Sequence, residues 1–341
     1  MCGIFGMVRS AHDPDPAWAS SVFVALGHLA EERGRDAAGF VLVGDGSGRP
    51  VAPGCDGGGG GPDPIHRRDV QLSRCRVVKD TRRWASVWRP EFLHALDGAP
   101  VALGHTRHAS QGTPGTMANA APLVVGAGLI GVHNGDVDVE ALRGGLPIAL
   151  PPAHGETDSE VLLLALDRVR GDLPAACDVL EAAHGLATLA WVDRHAPELV
   201  HLARAALCPL VVARDARGNL YWASSPAWFR RLDEQTGGRL GFEVERVHEG
   251  TLLAIAAGAT PSIHARRSFE PVARPGDDRR FPSIWNGLDP ADVEAFQAEA
   301  RHRTIRRRPT RPHAELPGRV ALAVNDFLYR VERGRAAIEP G

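Results

Sequence analysis

A layered α+β domain is what this sequence predicts, on three observations. Apolar runs of strand length recur between turn signals. Longer segments with an apolar stripe at helical spacing stand among them, so strand runs, helix runs and more strands follow one another. And 44% of the 341 residues are apolar, enough for a substantial core in one large or two ordinary domains.

Residues 3–9 read as a short buried strand, and residues 16–33 as a helix whose apolar stripe is Trp18, Val22, Phe23, Leu26 and Leu29. The helix leads into Arg33 and Asp36, then a strand over 40–43; a solvated helix end is the plainest reading of those two charges. Residues 44–64 are rich in Gly and Pro, with glycine throughout 57–61. No Lys-Ser/Thr follows and no helix begins there, so a surface insertion is expected rather than a phosphate cradle. A strand over 74–79 and a helix over 83–97, with Trp84, Val87, Trp88, Phe92 and Leu96 inward, come next.

From Val101 an apolar strand runs into His105-Thr106-Arg107-His108-Ala109-Ser110-Gln111 and stops at Gly-Thr-Pro. Polar groups crowded at a strand end are where binding sites tend to lie. Asn119 follows on a loop, and a strand over 128–132 ends in His133-Asn134-Gly135-Asp136, where an Asn-Gly pair by itself suggests a tight turn. After a helix from Val139, Thr157 or Asp158 serves as N-cap of an apolar helix over 161–169. A helix over 174–184 precedes an antiparallel meander of short runs at 187–192, 199–203, 210–213 and 220–223. A helix over 226–232 and strands over 242–247 and 251–255 complete the pattern. Residues 261–289 are expected to be extended, 290–305 helical until the arginines before Pro309, and 316–331 a last amphipathic helix.

The formal net charge of −2 gives the molecule no polyelectrolyte character. The balance is uneven, because residues 261–341 carry 15 Arg against 11 acids. The five cysteines are scattered, without a CxxC pair, which fits neither a disulfide framework nor a zinc site. No apolar run reaches the roughly 18 residues that span a membrane, and the N-terminus lacks a signal-peptide layout. A cytoplasmic protein is expected.

Cys2 follows the initiator methionine directly. Once Met1 is clipped, one residue carries both a thiol and a free α-amine. With a reference pKa of roughly 7.7 to 8.0, that amine is partly unprotonated near neutrality and can accept the thiol proton. This is a nucleophile with an adjacent base. Alone, a cysteine at position two is also compatible with accident.

The ordered segments Cys2-Gly-Ile-Phe-Gly, Arg33-Gly-Arg-Asp-Ala-Ala-Gly, Gly104-His-Thr-Arg-His-Ala-Ser-Gln-Gly, Asn119, Val132-His-Asn-Gly and Glu156-Thr-Asp-Ser-Glu resemble the class II glutamine amidotransferase domain. Weaker matches follow at Pro209-Leu-Val, Ala223-Ser-Ser and Glu249-Gly-Thr. This is the N-terminal nucleophile hydrolase module found in glucosamine-6-phosphate synthase and glutamine phosphoribosylpyrophosphate amidotransferase. The resemblance covers residues 2–256 and implies a four-layer αββα sandwich, with residues 257–341 as an Arg/Pro-rich linker and helical extension. It implies Cys2 as nucleophile, and Asn134 with the Gly135 backbone N–H as oxyanion hole. Arg107 and Ser110 would hold the α-carboxylate of L-glutamine, Asp158 its α-ammonium, and Arg33 would order the nucleophile's surroundings. No cofactor and no metal are implied.

The family commonly has Trp and His where this chain has His108 and Gln111, so the loop gating the pocket is expected to differ. With about 85 residues after the domain, neither a sugar isomerase nor a phosphoribosyltransferase is expected to follow. The leading expectation is a stand-alone glutaminase subunit whose ammonia serves a separate acceptor enzyme. Hydrolysis of a γ-glutamyl amide on a small metabolite is the second reading, and a non-catalytic scaffold the third. The presence of Cys2, Arg107, Asn134, Gly135 and Asp158 together argues against the scaffold. The arginine cluster over 301–319 reads as a solvated or protein-contacting surface before a nucleic-acid site. Oligomeric state is not legible.

Overall fold

The computed structural model describes residues 1–44 and 66–306. In chain order the elements are β1 (Gly3–Val8), α1 (Pro16–Ala30), β2 (Ala37–Val43), β3 (Arg67–Leu72), β4 (Cys75–Asp80), α2 (Trp84–Val87), α3 (Leu93–Asp97) and β5 (Val101–Arg107). Then come β6 (Leu123–Val125), β7 (Leu129–Val137), α4 (Val139–Gly145), α5 (Asp158–Arg168), α6 (Leu173–Ala182), β8 (Gly185–Asp193), β9 (Ala196–Arg204), β10 (Val211–Arg214) and β11 (Leu220–Ala223). The last are α7 (Pro226–Gln235), β12 (Glu243–Arg246), β13 (Thr251–Ala256), β14 (Ser262–Ser268), α8 (Asp277–Arg280) and α9 (Pro290–Arg306).

The strands form two antiparallel sheets, ordered β12-β10-β11-β1-β5-β2-β4-β3 and β14-β13-β9-β8-β7-β6. Strand periodicity sorts their side chains. On β1, Phe5 and Met7 join Phe23 and Leu26 of α1 and Trp228 and Phe229 of α7 in one core. Ile4 and Val8 face the other way and join Ile130 and Val132 of β7 and Leu162 and Leu166 of α5 in a second core. Helices therefore cover the outer face of each sheet, and the inner faces pack on each other. The expected four-layer αββα sandwich is the observed fold.

Local expectations fail where backbone chemistry overrides pattern. The helix expected over 83–97 is broken into α2, a single 3₁₀ turn (Pro90–Phe92) and α3. Pro90 drives the preceding Arg89 to an extended conformation (φ −140°, ψ 148°) and has no N–H to donate. The first helix stops at Ala30, which leaves Arg33 in the turn beyond it. The Asn134-Gly135 pair makes no turn: β7 runs through both and pairs with β8 over its whole length.

Residues 261–289 are only partly extended. β14 pairs with β13, so the boundary expected after residue 256 falls between two hydrogen-bonded strands. Beyond them the chain folds back across the molecule through α8 and a 3₁₀ turn (Pro282–Trp285), and α9 buries Phe296 in the first core. The glycine run at 57–61, Cys55 and the helix expected over 316–331 lie outside the described residues, as does most of the 301–319 arginine cluster. Among the described residues no helix is long and apolar enough to cross a membrane.

Candidate active site

Cys2 stands immediately before β1, a central strand flanked by β11 and β5. Its neighbours follow from that register. Gly3 pairs with Thr106, so Arg107 at the end of β5 lies beside Cys2. A Cβ on Gly3 would come within 2.7 Å of Thr106 Oγ1, and one on Gly34 within 2.3 Å of the Arg107 carbonyl carbon. The glycines after Cys2 and Arg33 are therefore what lets three chain segments converge on Cys2.

The Cys2 thiol is half-buried, accepts from the His108 backbone N–H at 3.4 Å and lies 3.5 Å from the His108 carbonyl. Burial pushes its pKa up, against the backbone N–H of His108, the terminal amine and Arg107, which favour the thiolate. Arg33 is buried and donates from Nε to the Cys2 carbonyl at 2.8 Å, and from Nη1 to the carbonyls of Ile284 and Asn286 at 2.9 and 2.6 Å. Burial lowers its pKa to about 10, so it remains a cation at neutral pH. Far from a solvated helix end, Arg33 clamps the Cys2 backbone to a segment some 250 positions away.

Cys2, Arg107, Ser110, Gly135 and Asp158 line one cleft enclosing about 360 Å³, its open mouth included. Arg107 is 4% exposed, and its guanidinium donates to the carbonyls of Gln111, Gly112 and Thr113 at 2.6, 3.2 and 3.5 Å. No carboxylate among the described residues pairs with it. Asp158 is 3% exposed as the first residue of α5; Thr157 is the N-cap, accepting from the Glu160 N–H. The Asp158 carboxylate accepts from the backbone N–H of Val137 at 2.8 Å and of Ser159 at 2.9 Å. Among the described residues no Lys or Arg pairs with it, and burial raises its pKa. Ser110 is exposed at the rim.

Asn134 is fully buried on β7, and neither atom of its side-chain amide has a hydrogen-bond partner. An orphaned buried amide costs about 1–3 kcal/mol, a standing cost that a bound oxygen anion would relieve. Gly135 has no room for a side chain, because a Cβ would lie 1.9 Å from the Leu186 carbonyl oxygen. His105 and His133 line the same cleft; His105 is neutral, its pKa lowered by burial to about 3, and His133 is lowered in the same direction by burial. The His105 ring meets the His133 carbonyl, and the His133 ring meets the Ser159 hydroxyl.

Several participants were not legible. Asp36 accepts from the Ala109 N–H at 2.8 Å and so holds the loop after β5. The Glu156 carboxylate accepts from the Thr113 N–H and from the Asn119 amide, bracing that loop from the other side. Gln111 donates to Asp136 at 2.7 Å, and Asp136 in turn pairs with Arg274. Ser283 receives the Met1 amine at 3.3 Å. The motif surrounding Asp36 and Glu156 carried a signal; Arg274 and Ser283 had none. His108 is exposed, as a surface histidine would be.

Known proteins fit this geometry. No family model matches the chain. It is 32% identical over 238 residues to a glutamine–fructose-6-phosphate aminotransferase (isomerizing) of Streptomyces coelicolor, covering 67% of this chain and 32% of that protein. The protein of the same description from Mycolicibacterium smegmatis is 31% identical over 224 residues, 62% of this chain and 31% of its own length. The chain thus spans about a third of the length of these relatives. A solved glutamine phosphoribosylpyrophosphate amidotransferase of B. subtilis, at 19% identity and a TM-score of 0.52 over 79% of this chain and 49% of that one, shares the fold. With the two sheets, the N-terminal strand and the relatives in agreement, this chain carries a class II glutamine amidotransferase domain of the N-terminal nucleophile hydrolase fold.

Proposed function

We propose that this chain is a glutaminase subunit: it hydrolyses L-glutamine through a Cys2 thioester and delivers ammonia to a separate acceptor enzyme. One observation carries the reading. A guanidinium bonded only to carbonyls, and a carboxylate bonded to two backbone N–H groups and the Ser159 hydroxyl but to no cation among the described residues, line the same cleft as the thiol. Opposite charges left unneutralised at a fixed spacing suit a free amino acid, whose carboxylate goes to Arg107 and ammonium to Asp158. Ser110 at the rim adds a hydroxyl for the same carboxylate.

The chemistry follows from removal of Met1. The α-amine of Cys2 takes the thiol proton and Sγ attacks the side-chain amide carbon. The oxygen becomes an anion met by the Asn134 amide and the Gly135 N–H, the donors the family resemblance assigns; that the buried Asn134 amide has no other partner supports this reading. The amine returns the proton to the departing nitrogen, ammonia leaves, and water hydrolyses the thioester to glutamate and free thiol. Arg33 holds the Cys2 carbonyl throughout, so amine and thiol keep their relative positions. The motif match and the relatives support glutamine chemistry of this kind; no cofactor or metal enters any step.

The test uses protein shown free of Met1 by intact mass. Glutamate release from L-glutamine, and mass addition to Cys2 from a diazoketone analogue of glutamine, are measured beside Cys2→Ala. Both signals are expected in the parent and absent in the variant. Labelling without release identifies a glutaminase that waits for its acceptor enzyme. Release that survives Cys2→Ala, or full activity with Met1 retained, overturns the mechanism.

A further inference from the structure

The loop after β5 is held at its middle from the far end of the chain. Gln111 donates from Nε2 to the Asp136 carboxylate at 2.7 Å, while its own carbonyl accepts from Arg107 Nη2 at 2.6 Å. Asp136 is buried on β7, one residue past Gly135. Its cation is Arg274, which donates to the Asp136 carbonyl at 3.1 Å and to its carboxylate. Arg274 belongs to the strap that follows β14 and is itself fixed by Asp277, 1% exposed, which accepts from the Arg274 backbone N–H at 3.1 Å and from its Nε at 3.2 Å. One series of hydrogen bonds therefore runs from Asp277 through Arg274, Asp136 and Gln111 to the Arg107 guanidinium in the cleft.

We propose that Arg274 is a positioning residue for substrate binding: acting through Asp136 and Gln111, it sets the direction of the Arg107 guanidinium and so tunes how tightly the site grips the α-carboxylate of glutamine. This rests on Arg107 being the carboxylate-binding group. The guanidinium is oriented by the carbonyls of Gln111, Gly112 and Thr113, so whatever fixes that loop fixes the donors left for substrate. Direction matters, because a planar guanidinium makes two bonds to a carboxylate only when the two forks face each other. Asp36 and Glu156 tie the loop by the backbone N–H groups of Ala109 and Thr113, near its two ends, and Gln111 ties the stretch between them. β7 itself is held by its ladder to β8, in which Asp136 stands opposite Leu186. What Arg274 governs is thus the Asp136 side chain. A hydrogen bond between two charged groups outweighs one from a neutral amide, so Arg274 rather than Gln111 decides where that carboxylate points. The strap beyond β14 thereby has a hold on the glutamine pocket.

The experiment measures, on Met1-free protein, the concentration of L-glutamine that half-protects Cys2 from alkylation, read by peptide mass, together with the alkylation rate in the absence of glutamine. Gln111→Met removes the side-chain donor and leaves the strap alone; Arg274→Met removes the cation and leaves the loop sequence alone. Each is expected to raise the half-protecting concentration about two- to tenfold, the ratio that the net contribution of one hydrogen bond corresponds to, with the glutamine-free alkylation rate unchanged. The double variant should lose no more than the larger single loss, because the two residues act in series. Half-protection at the same concentration in the parent and both single variants overturns the role of Arg274 while the glutamine reading stands. Losses that multiply in the double variant overturn it too, as does an altered alkylation rate without glutamine, the mark of a disturbed Cys2 rather than a redirected Arg107. If glutamine fails to protect Cys2 in the parent, the glutamine reading itself fails and the positioning role falls with it.

Discussion

In the cleft Arg107 and Asp158 hold opposite charges that no side chain among the described residues neutralises; on the N-terminal side of Cys2, Met1 lies in an apolar cluster with Leu186, Ala206, Leu207, Cys208 and Ile284. The polar end is built from strand and helix termini, the carboxyl end of β5 and the first turn of α5. Backbone groups there have no partner within their own element. The apolar end is built from the β8–β9 side of the second sheet and from a segment that returns after residue 270. Charge orients a ligand and apolar packing holds the chain ahead of Cys2, so the two ends should fail in different ways when altered.

The largest effect is expected between the ends. Asn134→Ala should lower kcat by about 10²–10³, the loss typical of one oxyanion donor, with KM little changed. Its melting temperature should not fall, because the amide it removes is already unpaired. A change in KM alone would place that amide away from the reacting centre. Next, Arg107→Ala should cost about 1.5–3 kcal/mol in kcat/KM, roughly 10- to 150-fold, carried mainly by KM. Ala206→Leu should show none of this with glutamine, and equal losses in the two variants would erase the contrast between the ends.

Asp158 sharpens the comparison through pH. Burial raises its folded pKa above the unfolded value. As pH falls through that raised value the carboxylate protonates and releases the substrate ammonium, so KM for glutamine should climb at a higher pH than an ordinary aspartate would set. Stability moves the other way. Between the unfolded and the raised folded pKa the native state holds a proton that the unfolded chain does not, so this residue's contribution to stability rises as pH falls across the window. Asp158→Asn should flatten both profiles, read by KM and by thermal melts from pH 4 to 8. The smallest effect concerns the strap. Arg274→Met, which deprives buried Asp136 of its cation, should cost about 1–3 kcal/mol of stability. It should loosen the Gln111 loop, seen as faster amide exchange there, while leaving the Met1 side intact.

Much of the polar end could be read from sequence because its chemistry is local. Cys2-Gly3, Arg33-Gly34 and the polar run after Val101 are short segments in which glycine permits a close approach and a strand end leaves polar groups to be satisfied. Asn134 and Gly135 were legible as a pair, yet their own pattern pointed to a turn. Only the ladder to β8 shows that they lie in an unbroken strand, where Gly135 yields to the Leu186 carbonyl. The helix expected over 83–97 failed for the opposite reason: its apolar stripe was real, and a single proline outweighed it.

The sequence by itself determined the layered α+β class, which depends on periodicity, and its short motifs, through the family resemblance, singled out Cys2, Arg107 and Asp158 as candidates. Tertiary structure alone decided that Arg33 grips the carbonyl of Cys2, that Asp136 is held by Arg274, and that Met1 is enclosed by Leu186, Ala206, Leu207, Cys208 and Ile284. Those contacts join residues tens to hundreds of positions apart, through backbone carbonyls and apolar side chains of kinds found everywhere in the chain. They leave no local pattern, because the preference for them exists only once both sheets have closed.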